Sequence, residues 1–288
     1  METRKNMQTT IVSKTNAQPV YVIDANDLHL HISKGNSKVG KGIWTFSTLP
    51  GNAEHMLKLS DGRVLTNIPG TCSKYCEGCA KDGACYAWRD AKLHHNAVIQ
   101  AWGQNTLMLR NGTVWKAIDE FINKKNARYK KTGLEKDLAV RVWRINVSGE
   151  LETCSDVENW NERAKLHPEV TFSVYTKNYD AIDEFLAGNA DKRSPNFIIN
   201  ISQWHHCADA FLAKYPEGTF NVFEYDDSNR KDNELPAEDI ERLKTCSHCP
   251  AVTISGHHAK NAAGDPITCD MCRRCYRHTG AHTAVYAH

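Results

Sequence analysis

From residue 139 the chain alternates short apolar runs with stretches whose apolar residues recur every three or four positions. Residues 139–147 (AVRVWRINV) read as a strand, and Val157, Trp160 and Ala164 then mark one face of a helix. Residues 170–175 are the next strand, followed by a helix around Ile182, Phe185 and Leu186. The unit repeats through a strand at 196–201, a helix carrying Ala208, Phe211, Leu212 and Tyr215, and a strand at 219–223. Pro236 then opens a helix through Ile240 and Leu243. Strands alternating with helices of this length predict right-handed βα crossovers and a parallel sheet: an α/β fold, either an open sheet or a full or partial (β/α) barrel.

The first half is less regular. Residues 20–23 and 42–46 read as short strands between turn signals at Pro50-Gly51, Asp61-Gly62 and Pro69-Gly70, a β-rich N-terminal lead-in. Leu93, Ala97, Val98 and Ala101 predict a helix over 88–110, and Val114, Ile118, Phe121 and Ile122 a second one. The expected organisation is a β-rich segment at 1–70 packed on the core, a βα core at 71–245 and a Cys-rich segment at 246–288 of the same domain. Residues 34–41 hold glycines and lysines but lack the order of a phosphate loop, so they read as a surface turn.

Composition changes this picture at one point, the cysteines. At 288 residues and 41% hydrophobic the chain can bury a large core, and its net charge of +2 argues neither for nucleic acid nor for an anionic membrane. Nucleic acid keeps weak support from the basic helix end at 124–131, which reads first as a solvated terminus with cations near the negative end of the helix dipole. Residues 1–16 are polar, and no apolar run approaches the roughly 20 residues of a membrane helix, so a cytoplasmic protein is expected. Nine of the eleven cysteines fall in two islands, 72–85 and 246–275. That clustering favours metal ligation over disulfides in a chain of this size. Cys154 and Cys207, between the islands, read as core thiols.

The first island contains Cys72, Cys76, Cys79 and Cys85, and its first three cysteines read CxxxCxxC. Three thiolates at that spacing can hold one face of a 4Fe–4S cluster; four can close a zinc site. The second island contains Cys246, Cys249, Cys269, Cys272 and Cys275, with a CxxCxxC run that also favours iron–sulfur ligation. In a parallel sheet ligands sit beyond the C-terminal strand ends, which here carry Ser148-Gly149-Glu150, Thr176-Lys177, Gln203-Trp204-His205 and Glu224. Glu150 reads as an acceptor for an ammonium group or as a helix N-terminal carboxylate, and Lys177 as an acid–base group or a solvated cation. His205, His206, His257 and His258 are further possible ligands.

Several phrases together resemble the phage "gene product 88" family, which in turn resembles radical S-adenosylmethionine (SAM) proteins. They are residues 35–40, Thr71-Cys72 with Cys85-Tyr86-Ala87, Val140-Arg141 through Ser148-Gly149-Glu150, Tyr175-Thr176-Lys177, Cys249-Pro250, and Cys269, Cys272 and Cys275. The resemblance implies an iron–sulfur protein with a partial barrel of radical SAM-like type. It carries ligand roles onto Cys72, Cys79 and Cys85 and onto Cys249, Cys269, Cys272 and Cys275, and Cys76 completes the radical SAM-like spacing. By the same resemblance, Ser148, Gly149 and Glu150 would hold the methionine amino group of SAM, with Glu150 and Lys177 beside an unidentified small-molecule or macromolecular substrate. The expectation is a protein with one or two 4Fe–4S clusters, a radical SAM-like or redox enzyme in the cytoplasm of an infected host. The alternatives are a structural or electron-transfer iron–sulfur protein and a zinc protein associated with nucleic acid.

Overall fold

The computed structural model describes residues 8–11, 21–24, 28–35, 39–40, 42–51, 55–59, 62–76, 85–93, 95–134, 139–187, 190–204, 206–228, 235–255 and 257–286. In chain order its elements are β1 (Gln8–Ile11), β2 (Tyr21–Asp24), β3 (Ile43–Thr45), β4 (His55–Lys58), β5 (Val64–Ile68), α1 (Tyr86–Leu93), α2 (His95–Arg110) and α3 (Val114–Thr132). These are followed by β6 (Val142–Ile145), α4 (Cys154–Leu166), β7 (Thr171–Thr176), α5 (Tyr179–Leu186), β8 (Phe197–Gln203), α6 (Asp209–Leu212), β9 (Asn221–Asp226), α7 (Ala237–Thr245), β10 (Ser247–His248), α8 (Cys269–Cys272) and β11 (His282–Tyr286). The chain forms two compact units. Unit 1 holds residues 1–33, 46–139 and 146–152; unit 2 holds 34–45, 140–145 and 153–288.

Unit 2 contains one seven-stranded sheet in the order β10-β11-β9-β8-β7-β6-β3, parallel throughout. From β3 through β9 spatial order follows chain order, the singly wound connectivity of an opened barrel rather than the reversing order of a doubly wound sheet. The expected α/β fold with a parallel sheet is therefore present. Its N-terminal edge is β3, which the lead-in supplies, and its far edge is β10 and β11, which lie in the Cys-rich tail.

Strand periodicity gives this sheet two different faces. One carries Trp143, Phe172, Val174, Phe197, Ile199 and Ile201, all buried, and helices α4 and α5 supply Trp160, Ile182 and Phe185. Trp143, Trp160 and Phe172 meet at centroid separations of 6.1 to 6.4 Å, anchoring α4 on β6 and β7. Helix α4 starts cleanly because Thr153 accepts from the Asp156 N–H while the Asp156 carboxylate accepts from Thr153. The other face is polar. Asn200 donates to the Ser173 hydroxyl at 3.1 Å and accepts from Asn221 at 3.0 Å, a buried ladder across β7, β8 and β9.

Unit 1 contains two antiparallel hairpins, β1 with β2 and β4 with β5, and helices α1 to α3. The helix expected over 88–110 is two helices, and its buried face is Ile99, Leu107 and Met108 rather than Ala97, which is exposed. Buried Asn105 replaces missing backbone partners, taking the His31 N–H and donating to the His31 and Ser47 carbonyls. The helix expected around Ala208 to Tyr215 shortens to the single turn α6. There Phe211, Tyr215 and Phe220 form a ring cluster, with centroids 5.1 to 5.4 Å apart, that satisfies the apolar pattern without a long helix. Among the described residues no helix is long and apolar enough to cross a membrane.

Candidate metal centres

In unit 1 the first island is built around Thr71. Its hydroxyl lies 2.8 Å from that of Thr48, accepts from the Glu150 N–H at 2.8 Å and donates to the Leu49 carbonyl. The Ser148 hydroxyl donates to the Thr48 carbonyl at 3.0 Å, and the Thr48 N–H donates to the Ser148 carbonyl at 3.0 Å. Between these partners Gly149 sits at φ 78°, and a Cβ there would lie 2.0 Å from the Thr48 hydroxyl and 2.4 Å from that of Thr71. Only glycine fits. The turn therefore seals against the threonines and sets buried Glu150, 3% exposed, beside the start of the cysteine loop.

Cys72 follows directly. Its sulfur accepts from the Gly51 N–H at 2.9 Å, and a 3-10 turn over Lys74–Cys76 brings Cys76 against it. The Cys76 thiol, burial and the Glu150 carboxyl group push the Cys72 thiol above its ordinary range, against the Gly51 N–H. Cys85 is half-buried just before α1, and the next residue, Tyr86, donates through its hydroxyl to the Val147 carbonyl. Cys72, Cys76, Ser148, Gly149 and Glu150 are thus brought together within one unit. Cys79 and His205 lie outside the described residues.

Glu150 was also readable as a helix N-terminal carboxylate. That role belongs to Thr153 and Asp156, and the neighbouring Glu152 pairs with Arg110 at 2.9 Å. Glu150 instead accepts from the Leu151 N–H at 3.0 Å.

In unit 2 the second island lies on the polar face of the sheet. Ser173 and Asn200 both donate to the Cys275 carbonyl, at 3.0 and 3.1 Å, and Asn221 donates to the Arg277 carbonyl at 2.8 Å. Cys269 opens α8, which Thr268 caps by accepting from the Met271 N–H. Cys249 is held by its N–H to the Ala284 carbonyl on β11 at 2.7 Å. These restraints bring four thiols within electrostatic reach. Burial first, then Cys269 and Cys272, raise Cys249; burial first, then Cys249 and Cys269, push Cys275 up to about 11. Burial and Cys272 raise Cys269, while the Arg144 guanidinium, 4.7 Å from the Tyr175 ring, opposes the rise at both Cys269 and Cys275.

Within residues 34–41, expected to be a surface turn, the described Val39 and Gly40 serve this island instead, and residues 36–38 and 41 lie outside the described residues. Val39 and Gly40 are buried, and the Val39 carbonyl accepts from the Asp270 N–H at 2.9 Å. Gly40, at φ 96°, would place a Cβ 2.7 Å from that of Asp270, so the turn is a seat for α8. The glycine spacing was the available signal; the partner more than two hundred residues away was not.

A family model described as gene product 88 matches residues 30–278, a span holding both islands and the Ser148 to Glu150 turn. The chain belongs to the gene product 88 family. No curated protein and no solved structure matches it.

The remaining sequence-derived residues of this gene product 88 protein separate cleanly. Lys177, in unit 2, donates to Ser202 at 3.0 Å on the polar face of the sheet, the face that carries the second island. His206 lies between Asp209 and Asp239, at 2.6 and 2.5 Å, and the Asp209 carboxylate raises its pKa. His257 is exposed, and His258 forms an isolated bridge with Val252. The Cys207 sulfur lies 3.0 Å from the Tyr179 hydroxyl and accepts from Trp204, but it and Cys154, both expected to be core thiols, are only half-buried. Glu224, read as lying past a strand end, is inside β9, which runs on to Asp226.

Proposed function

We propose that this protein is an iron–sulfur protein whose two islands carry 4Fe–4S clusters of different kinds. In unit 1, Cys72, Cys76 and Cys79 hold a cluster with one iron open to SAM. In unit 2, Cys249, Cys269, Cys272 and Cys275 hold a closed one. The observation that carries this reading is the buried Glu150 against Thr71 and Cys72, a carboxylate beside the Cys72 and Cys76 thiols where an ammonium group would be neutralised.

When bound, SAM and a reduced cluster supply the radical chemistry, and the protein supplies position and charge. Gly149 and the two threonines keep Glu150 in place through a packed hydrogen-bonded turn, so its carboxylate needs little reorganisation to receive a cation. Lys177 supplies an acid–base group on the polar face of the unit 2 sheet. A host cytoplasmic location accords with the family and with the absence of a membrane-suited helix among the described residues. A second reading, in which Cys85 closes the first cluster and both centres transfer electrons, draws on the tie between Tyr86 and the Val147 carbonyl, which holds Cys85 near the same turn.

Anaerobic purification with iron, sulfide and zinc analysis tests this, together with electron paramagnetic resonance of the reduced protein with and without SAM. We expect about eight irons per chain and a signal that shifts with SAM and is lost in Cys76→Ser. Iron without any response to SAM supports the second reading. Zinc without iron overturns both.

A further inference from the structure

Cys246 belongs to neither thiol set. It is buried, it directly follows α7, and it precedes β10 by one residue. In the parallel register Ser247 pairs with Thr283, so Cys246 stands level with His282 at the start of β11. In the next pair Ala284 stands opposite Glu224, which places Glu224 two residues along on the same face as His282. Three adjacent strands thus bring a thiol, an imidazole and a carboxylate to one place. Their ligand atoms all lie within 4.8 Å of one another.

The atoms converge rather than merely neighbour. His282 Nε2 lies 2.7 Å from Glu224 Oε2, and the same imidazole interacts with the Cys246 thiol. The other oxygen of Glu224 accepts from Arg242 Nη1. Arg242 is itself fixed, because its Nη2 donates to Asp239 at 2.7 Å, and its backbone carbonyl accepts from Cys246 at 3.5 Å. Glu224 is 1% exposed and His282 about one-third exposed, so the group opens to solvent on the histidine side. Such a sulfur, nitrogen and oxygen set suits a borderline divalent ion. Three protein ligands also leave a tetrahedral zinc one position for water.

We propose that Glu224, Cys246 and His282 form a mononuclear site for zinc or a similar divalent transition metal, separate from both proposed cluster ligand sets. The metal takes the place of the thiol proton of Cys246 and of the proton between His282 and Glu224. Arg242 keeps its bond to Oε1 and orients the carboxylate, as outer partners of metal ligands commonly do. Glu224 is also inside the span matched by the family model, whereas His282 lies beyond it.

The test uses the full-length protein purified anaerobically with zinc supplied, and reads zinc and iron per chain together. Wild type is expected to carry about one more zinc than Cys246→Ser or the near-isosteric Glu224→Gln, with iron equal in all three. His282→Cys, which preserves a ligand, is expected to keep that zinc. With cobalt in place of zinc, its difference spectrum against Cys246→Ser gains thiolate charge-transfer intensity over wild type. Should the islands bind zinc rather than iron, the total rises but the loss of one equivalent in each variant remains readable. Zinc content in Cys246→Ser and Glu224→Gln equal to wild type overturns the proposal, as does a wild type whose zinc is accounted for by the islands alone.

Discussion

The two cysteine islands differ in the charge the fold sets beside them. Next to Cys72 in unit 1 is the carboxyl group of Glu150, which makes a thiolate harder to form; near Cys269 and Cys275 in unit 2 is the Arg144 guanidinium, which makes one easier. A closed four-thiolate cluster is net negative and gains from a fixed cation. A three-thiolate cluster of the proposed kind beside a carboxylate would gain from the positive charge that the ammonium and sulfonium of SAM bring. The contrast accords with the proposed closed centre in unit 2 and the proposed charged ligand in unit 1.

The largest expected effect breaks one side of that contrast. Gly149→Ala drives a methyl group into the Thr48 and Thr71 hydroxyls at a φ of 78°, combining overpacking with left-handed strain. We expect a loss of about 3 kcal/mol or more in denaturant unfolding. The SAM-sensitive signal should vanish while the second cluster's signal remains. Gly133→Ala is the control: its φ of 60° is similar but nothing lies within 4 Å, so about 1 kcal/mol is expected. Equal costs at the two positions would show that the threonine seat contributes nothing.

A smaller effect sharpens the comparison. Arg144→Met removes the cation near the second island, and Glu150→Gln removes the anion near the first. Reduction adds negative charge, so if the proposed clusters are present the first change should lower the midpoint potential of the one in unit 2 and the second should raise that of the one in unit 1, each by about 50 mV. Potentiometric titration followed by electron paramagnetic resonance reads both. Shifts of the same sign would contradict the assignment of opposite fields to the two islands.

How legible this was in the sequence depends on distance along the chain. The β6 to β9 series was readable because each strand is an apolar run bounded by its own helix, and the buried Trp143–Trp160–Phe172 contact follows from local periodicity. Cysteine spacing marked both islands, since ligand loops are short. What stayed hidden rests on residues that meet only after folding. β11, five residues near the chain's end, reads as a strand only once β9 lies beside it. The seat of Gly40 against Asp270 and the meeting of Glu224, Cys246 and His282 depend on strand order, which no local pattern carries. Glu150 was recognised as a candidate, but its freedom from helix capping became visible only with the Thr153–Asp156 box.

The smallest effect checks that the islands, rather than ordinary surface pairs, dominate the response to acid. Asp183 on α5 accepts from Lys214 at 2.6 Å and from the Tyr215 hydroxyl at 2.7 Å, and these two partners, Lys214 first, hold its carboxyl below the usual range. Because the folded value is depressed, the stabilisation is fully present above the unfolded value near 3.9 and is lost as pH falls through the folded value. Lys214 is more than half exposed, so screening limits the gain to well under about 1 kcal/mol. Asp183→Asn should therefore lower Tm by no more than a few degrees at pH 7, and the difference should close only as pH falls through the depressed folded value of Asp183. The iron content at pH 7 should equal that of wild type. An Asp183→Asn protein that lost iron along with this pair would tie the helix surface to the second island and undo the separation between them.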